Sequence, residues 1–429
     1  MCVFCNNEGF SAEQQAQVHA PQAAGSTTVS TFNVSFGGTA QNNMLALVAG
    51  SKWDSTNISY SFPDATSDYT NAPGSYGSGE LTNGFSALNA AQQTAARAAF
   101  AMISSYTGIT FTEETVNEGN ADILMAHSNT PSTAWAYYPG SGVGGDAFFN
   151  GSGGNYTNPV QGTYAWHTFL HELGHTLGLK HGHDSSGNGA LASDVDQMPY
   201  SVMTYKSYEG SAGANYTNEY YGYAQSYMAY DIAALQAIYG VNWSTNSGDT
   251  TYTWSETTGE MFINGVGQGA PGSNRILQTI WDGGGTDTID LSNYNSGMTV
   301  DLAPGGYLSF SSAQTAQLGA GIYADGNVYL AFAPDGKKAA YIDNLIAGTG
   351  QDTINGNNWK NVIDGKGGKD LIYGHGGEDI IFGSGGSDTI YGGAGDDWIS
   401  GGIGRDFLKG NGGADTFFFD ERSNKDVIK

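Results

Sequence analysis

Cysteine is almost missing from this chain: Cys2 and Cys5, at the extreme N-terminus, are the only two in 429 residues. No disulfide framework can therefore hold the fold together. Basic residues are scarce too. Fifteen Lys and Arg face 41 Asp and Glu, a formal net charge of −26, which argues against nucleic acid or an anionic membrane as partner. No apolar run is long enough to span a membrane. The first twenty residues have neither a basic start nor an apolar stretch, so an N-terminal signal peptide is not expected.

Two patterns stand out against these absences. The first is Tyr164-Ala-Trp-His-Thr-Phe-Leu-His-Glu-Leu-Gly-His-Thr-Leu-Gly-Leu-Lys-His181, which contains HExxHxxGxxH. His171 and His175 are four apart, so on a helix they share one face and can reach one ion. Gly178 can take the positive φ that ends the helix, and the reversal would bring His181 round as a third imidazole. Three protein ligands leave a fourth position for water, the mark of a catalytic zinc and not a structural one. Glu172 is then beside the ion and suited to be the general base. Cys2 and Cys5 have C-x-x-C spacing without a second pair or a βαβ context; a thiolate capping the ion in a latent precursor is one reading, and no role at all is the other.

The second pattern is a repeat of nine residues. Asp343, Asp352, Asn361, Asp370, Asp379, Asp388, Asp397, Asp406 and Asp415 follow one another without a slip, and from 352 onward an apolar residue stands two places after each. Glycines precede the acid, as in Gly392-Gly393-Ala394-Gly395-Asp396-Asp397. This is the GGxGxDxUx nonapeptide, in which glycines permit a tight turn, aspartate supplies hard oxygen for calcium, and the apolar residue faces the interior of a coil. Several Ca²⁺ ions are expected, offsetting repulsion between stacked carboxylates. Asn361, Lys366 and Ser384 depart from the pattern, so their turns are expected to bind calcium weakly or not at all. A glycine-rich flexible linker would not keep this register, and a nine-residue period excludes collagen.

The chain divides into three parts on this reading. Residues 1–50, rich in Gln, Ala, Ser and Thr, read as a propeptide or flexible segment; 51–240 as an α+β catalytic domain; 241–429 as an all-β calcium-binding roll. Within the second part, strands are expected at Ile58 to Phe62, Ile109 to Thr112, Ile123 to Ala126, Ala134 to Tyr138 and Asp146 to Asn150. Helices are expected from Asn89 through Ile103, over the histidine motif, and from Tyr230 to Tyr239, where Gly240 stops the last.

Ser201-Val202-Met203-Thr204-Tyr205 resembles the methionine turn of the metzincin metalloproteases. The resemblance implies that Met203 lies beneath the zinc ligands, and that Tyr205 coordinates zinc at rest and then stabilises the oxyanion. Trp281-Asp282-Gly283-Gly284-Gly285-Thr286-Asp287, Ser247-Gly248-Asp249-Thr250 and Tyr230-Asp231-Ile232-Ala233-Ala234-Leu235-Gln236 resemble the serralysin branch, which the chain resembles over nearly all of its length beyond the lead segment. By that likeness Asn246, Gly248, Thr250, Asp282, Gly284 and Asp287 would enclose a calcium where the domains join, with Gly285 and Asp343 nearby. It also implies an edge strand at Ala134, Trp135, Ala136 and Tyr137 that pairs with a peptide substrate, and a broad endopeptidase activity. Further expectations are a proteinaceous inhibitor as partner, a monomer, and type I secretion to the calcium-rich exterior. The roll's end is expected to be incomplete at Lys429. The competing readings are a calcium-binding adhesin carrying an incidental metal helix, and an export module or inactive paralogue.

Overall fold

A computed structural model describes residues 26–69, 76, 79–154, 156–211, 216–419 and 426–429. Cys2, Cys5 and the first half of the expected lead segment lie outside these residues. The chain forms two units, one running to Asn242 and including 317–322, the other comprising 243–316 and 323–429.

The first unit is built on a sheet with order β5-β3-β6-β8-β7. Its strands are β3 (Asn57–Ser61), β5 (Thr110–Glu113), β6 (Ile123–Ser128), β7 (Ala134–Ala136) and β8 (Ala147–Asn150), with β4 (Ser86–Ala87) pairing on β6. β3, β5, β6 and β8 pair in parallel, while β7 runs antiparallel to β8 and the short β4 antiparallel to β6. Helix α2 (Ala90–Tyr106) starts at an Asn89 cap whose side chain accepts from Ala91 and Gln92 N–H, while Gln92 bonds back to Asn89 N. That reciprocal pair is the box read from the sequence. The helix buries Ala95, Ala96, Ala99, Phe100 and Ile103, the 3–4 spacing of an amphipathic face. Helices α3 (Tyr164–Thr176) and α4 (Ala229–Tyr239) are buried along nearly their whole length.

One expectation needs correction. Residues 26–50 are not a flexible lead: β1 (Ser26–Thr28) pairs antiparallel with β2 (Ser51–Trp53), and α1 (Gly38–Ala46) buries Met44. The polar run Gly-Thr-Ala-Gln-Asn-Asn hides this, because only Met44, Ala46, Leu47 and Val48 at its end carry the packing. Residues 317–322 also belong to the first unit, through Glu219 N–H to Gln317 O (3.0 Å) and Thr217 Oγ1 to Leu318 O (2.6 Å).

The second unit is all strand and contains two nine-stranded sheets. From residue 344 onward successive strands alternate between the sheets and pair in parallel with the strand eighteen residues away, for example Ile354 with Ile372 and Ile363 with Ile381. Leu345, Ile363, Ile381 and Ile399 file along one sheet; Ile354, Ile372, Ile390 and Leu408 file along the other. All are essentially inaccessible to solvent, each stabilising the coil by roughly 1.5–3 kcal/mol. Glycine sets the stacking distance. Gly386 has φ 151°, and a Cβ there would lie 1.5 Å from Gly368 O.

Candidate metal centre

Thr163 caps α3 through its hydroxyl, which accepts from Trp166 N–H. Trp166 Nε1 bonds to Gln225 O (3.0 Å), and Tyr227 OH to Leu170 O (2.8 Å), so the helix is pinned just ahead of the motif. Its face presents His171 and His175, with Nε2 atoms 3.1 Å apart. The chain turns at Gly178, φ 91°, where a Cβ would stand 2.3 Å from Ser51 O. His181 then brings its Nε2 to 2.9 Å from that of His175.

The other ring nitrogens decide the chemistry. His171 Nδ1 bonds to Val202 O at 2.8 Å and His175 Nδ1 to Leu179 O at 2.7 Å. A carbonyl can only accept, so both Nδ1 atoms carry the proton and both Nε2 atoms present bare lone pairs. Burial pushes His171 down to about 4 and holds His175 and His181 well below the ordinary imidazole range. Neutral lone pairs this close repel unless a cation sits among them. Tetrahedral zinc with N ligands at about 2.0–2.1 Å would set such nitrogens about 3.3 Å apart, so the three histidines fit that ion.

Tyr205 OH lies 2.6 Å from His181 Nε2, which places the phenol at the same centre. Glu172 is buried on α3 beside His171. Met203 is fully buried, its sulfur packed against Gly174, where a Cβ would stand 2.7 Å away. Asp231 holds this turn from α4: its carboxylate accepts from Ser201 Oγ (2.6 Å), Val202 N–H (2.7 Å) and Met228 N–H (2.9 Å). Burial raises its carboxyl to about 7 against those donors.

Asp231 was missed as a site residue, as were His183, stacked on His181 with centroids 5.3 Å apart, and Tyr138, edge-on to His175 at 5.6 Å. Asp231 supports a turn about thirty residues away, which no local spacing reveals. His183 adjoins the motif and was legible only as one more histidine.

The expected substrate strand is the last in its sheet, with Ala134 opposite Phe149 and Trp135 opposite Phe148. It is an edge by pairing but not an exposed one. Ala134 and Trp135 are buried, and Tyr137 OH bonds to Glu80 Oε1 (2.7 Å), so the side chains serve the core.

In the second unit, Thr250 Oγ1 reaches Gly248 O (2.8 Å) and Asn246 O (3.1 Å), while Thr250 N–H donates to Asp287. Asp282 accepts from Tyr252 OH (2.6 Å) and Gly284 N–H, and Asp343 accepts from Asp287 N–H (3.0 Å). A Cβ on Gly285 would lie 2.5 Å from Gly248 O and 2.8 Å from Asp287 Oδ1. Burial, reinforced at Asp287 by the neighbouring Asp282 charge, raises Asp282 to about 6 and Asp287 to about 8. Along the roll, Asp352, Asp370, Asp379, Asp388, Asp397 and Asp406 each bury an Oδ2 that no donor reaches among the described residues, as does Asp287. Asp415 is partly exposed and accepts from Asp397 N–H (3.1 Å). Buried carboxylate oxygens without donors suit a hard cation.

An HExxH helix over a methionine turn, followed by a parallel β-roll, is the arrangement expected from the metzincin resemblance. Residues 27–232 match the metallo-peptidase family M12, and residues 241–428 the peptidase M10 serralysin C-terminal region. Among curated proteins the chain is similar to metallopeptidase AprA of Pseudomonas marginalis, 34% identical over 65% of this chain and 57% of that protein. Serralysin C of Dickeya chrysanthemi is 32% identical over 70% of this chain and 60% of its own length. Metalloprotease AprA of Pseudomonas entomophila (strain L48) is 32% identical over 73% and 62%. The chain spans about three fifths of the length of these relatives. The chain is thus similar to serralysin-type metallopeptidases over both matched regions.

Proposed function

We propose that the chain is a secreted, zinc-dependent endopeptidase of broad specificity, with catalytic chemistry in residues 51–240 and a calcium-stabilised roll in 241–429. The observation that carries this reading is the convergence of the Nε2 atoms of His171, His175 and His181, bare in the first two, with Glu172 on the helix of the first two. Bound by these histidines and Tyr205, zinc would acidify a water and polarise the scissile carbonyl.

The chain's own groups do the rest. A peptide laid along β7 pairs through its main chain, which fixes the scissile bond with little regard to sequence. Glu172 accepts the proton of the attacking water as its oxygen bonds to the carbonyl carbon. The C–N bond then breaks, and Glu172 returns that proton to the leaving amine. Tyr205 donates to the oxyanion from its phenol. In the second unit, Asn246, Gly248, Thr250, Asp282, Gly284, Gly285, Asp287 and Asp343, with the repeat aspartates, hold calcium. A calcium requirement at extracellular levels supports the reading that the protein works outside the cell; no helix among the described residues is long and apolar enough to cross a membrane.

Casein hydrolysis tests this reading. Glu172→Ala should lower the rate about 10²–10⁴-fold, and chelation should abolish wild-type activity until zinc is restored. Undiminished hydrolysis by Glu172→Ala would remove Glu172 from the mechanism.

A further inference from the structure

Between 352 and 415 the repeat's aspartate is missing once, at Asn361, and the turn 356–361 that lacks it is chemically filled. In the regular half-turns, the aspartate accepts through Oδ1 from a backbone N–H eighteen residues earlier. Asp370 does so from Asp352, Asp388 from Asp370, Asp379 from Asn361 and Asp397 from Asp379, at 2.8–2.9 Å. The Oδ2 atoms of these four aspartates are the buried oxygens that no donor reaches. At 361 the side chain is an uncharged amide working in the opposite sense: Nδ2 donates to Asp343 O (2.9 Å), and Oδ1 accepts from Asn357 N–H (2.7 Å). Asn357, also buried, sends its Nδ2 to Ile342 O (2.8 Å) and accepts from Trp359 N–H (2.9 Å) through Oδ1. Trp359 itself occupies the place that glycine holds in the other half-turns.

An amide N–H and a calcium ion do the same work at a backbone carbonyl, since each brings positive charge to its lone pair. They differ in that the amide is covalently part of the fold. Elsewhere in the roll, buried carboxylate oxygens leave the turn dependent on a cation; here every side-chain donor and acceptor is met from within.

We propose that Asn357 and Asn361 form a calcium-independent staple, which keeps strands Asn344–Ile346 and Val362–Asp364 paired whether or not the later turns are loaded. The inference rests on the calcium reading of those later turns. Past the staple, the calcium-dependent turns of that sheet begin beyond residue 364, and the stapled turn is the template on which they wind when the ion is supplied.

Hydrogen exchange on the full chain, in saturating calcium and in excess EGTA, tests this. EGTA should speed exchange across 370–415 by tenfold or more while changing 344–346 and 362–364 by less than about twofold. Asn361→Asp should make 344–346 and 362–364 calcium-dependent and raise the calcium bound per chain by one ion. Asn357→Ala, a milder change, should speed exchange of 344–346 and 362–364 in EGTA. Loss of protection at 344–346 and 362–364 together with 370–415 in wild type overturns the staple. So does an Asn361→Asp variant that gains neither an ion nor calcium dependence. Full protection of 370–415 in EGTA would instead sink the calcium reading beneath it, and is read from a different segment.

Discussion

Gly178 shows how narrowly a single residue conditions the centre. Its φ of 91° turns the chain out of α3, and a side chain there would meet Ser51 O. Gly178→Ala should therefore destabilise the first unit by about 2–4 kcal/mol, from the left-handed backbone and the clash together. It should also weaken zinc binding, because His181 is placed by that turn. Denaturant midpoints and zinc titration check both; a variant as stable as wild type would mean that the turn is not under this constraint. The histidines, Glu172 and Gly178 were legible because their geometry is local, set by 3.6 residues per turn. The protons on Nδ1 were not, since Val202 O reaches His171 only through tertiary packing.

Between elements, Asp231 ties the methionine turn to α4. Its carboxyl is raised to about 7, first by burial. A raised carboxyl gives stability that is complete below its unfolded pKa of about 3.9 and is lost as pH rises through about 7. Wild type should thus lose unfolding free energy between pH 4 and 7 more steeply than Asp231→Asn, which has nothing there to titrate. Parallel pH profiles for the two would contradict the assignment. The same scale shows what sequence could give. Strong periodicity placed β3, β5, β6, β8, α2, α3 and α4 to within a few residues, whereas α1 escaped because its first turns are polar. The segment 317–322 escaped because a short strand with an ordinary sequence carries no sign of which unit it joins.

Over the whole molecule, two kinds of cohesion replace the disulfides that the chain lacks. The first unit buries three long helices and a mixed sheet; the second winds files of isoleucine and leucine between glycine turns. The roll's topology was readable because every ninth residue repeats the same problem, and the one missing aspartate, at Asn361, is readable for the same reason. Function, in contrast, hangs on a few atoms of the first unit. The most direct measurement is direct metal analysis of purified wild type, Glu172→Gln and His181→Ala. The account predicts one zinc per chain in wild type and in Glu172→Gln, and a zinc content falling toward zero in His181→Ala. Wild type without stoichiometric zinc, or His181→Ala retaining it fully, would contradict the centre described here.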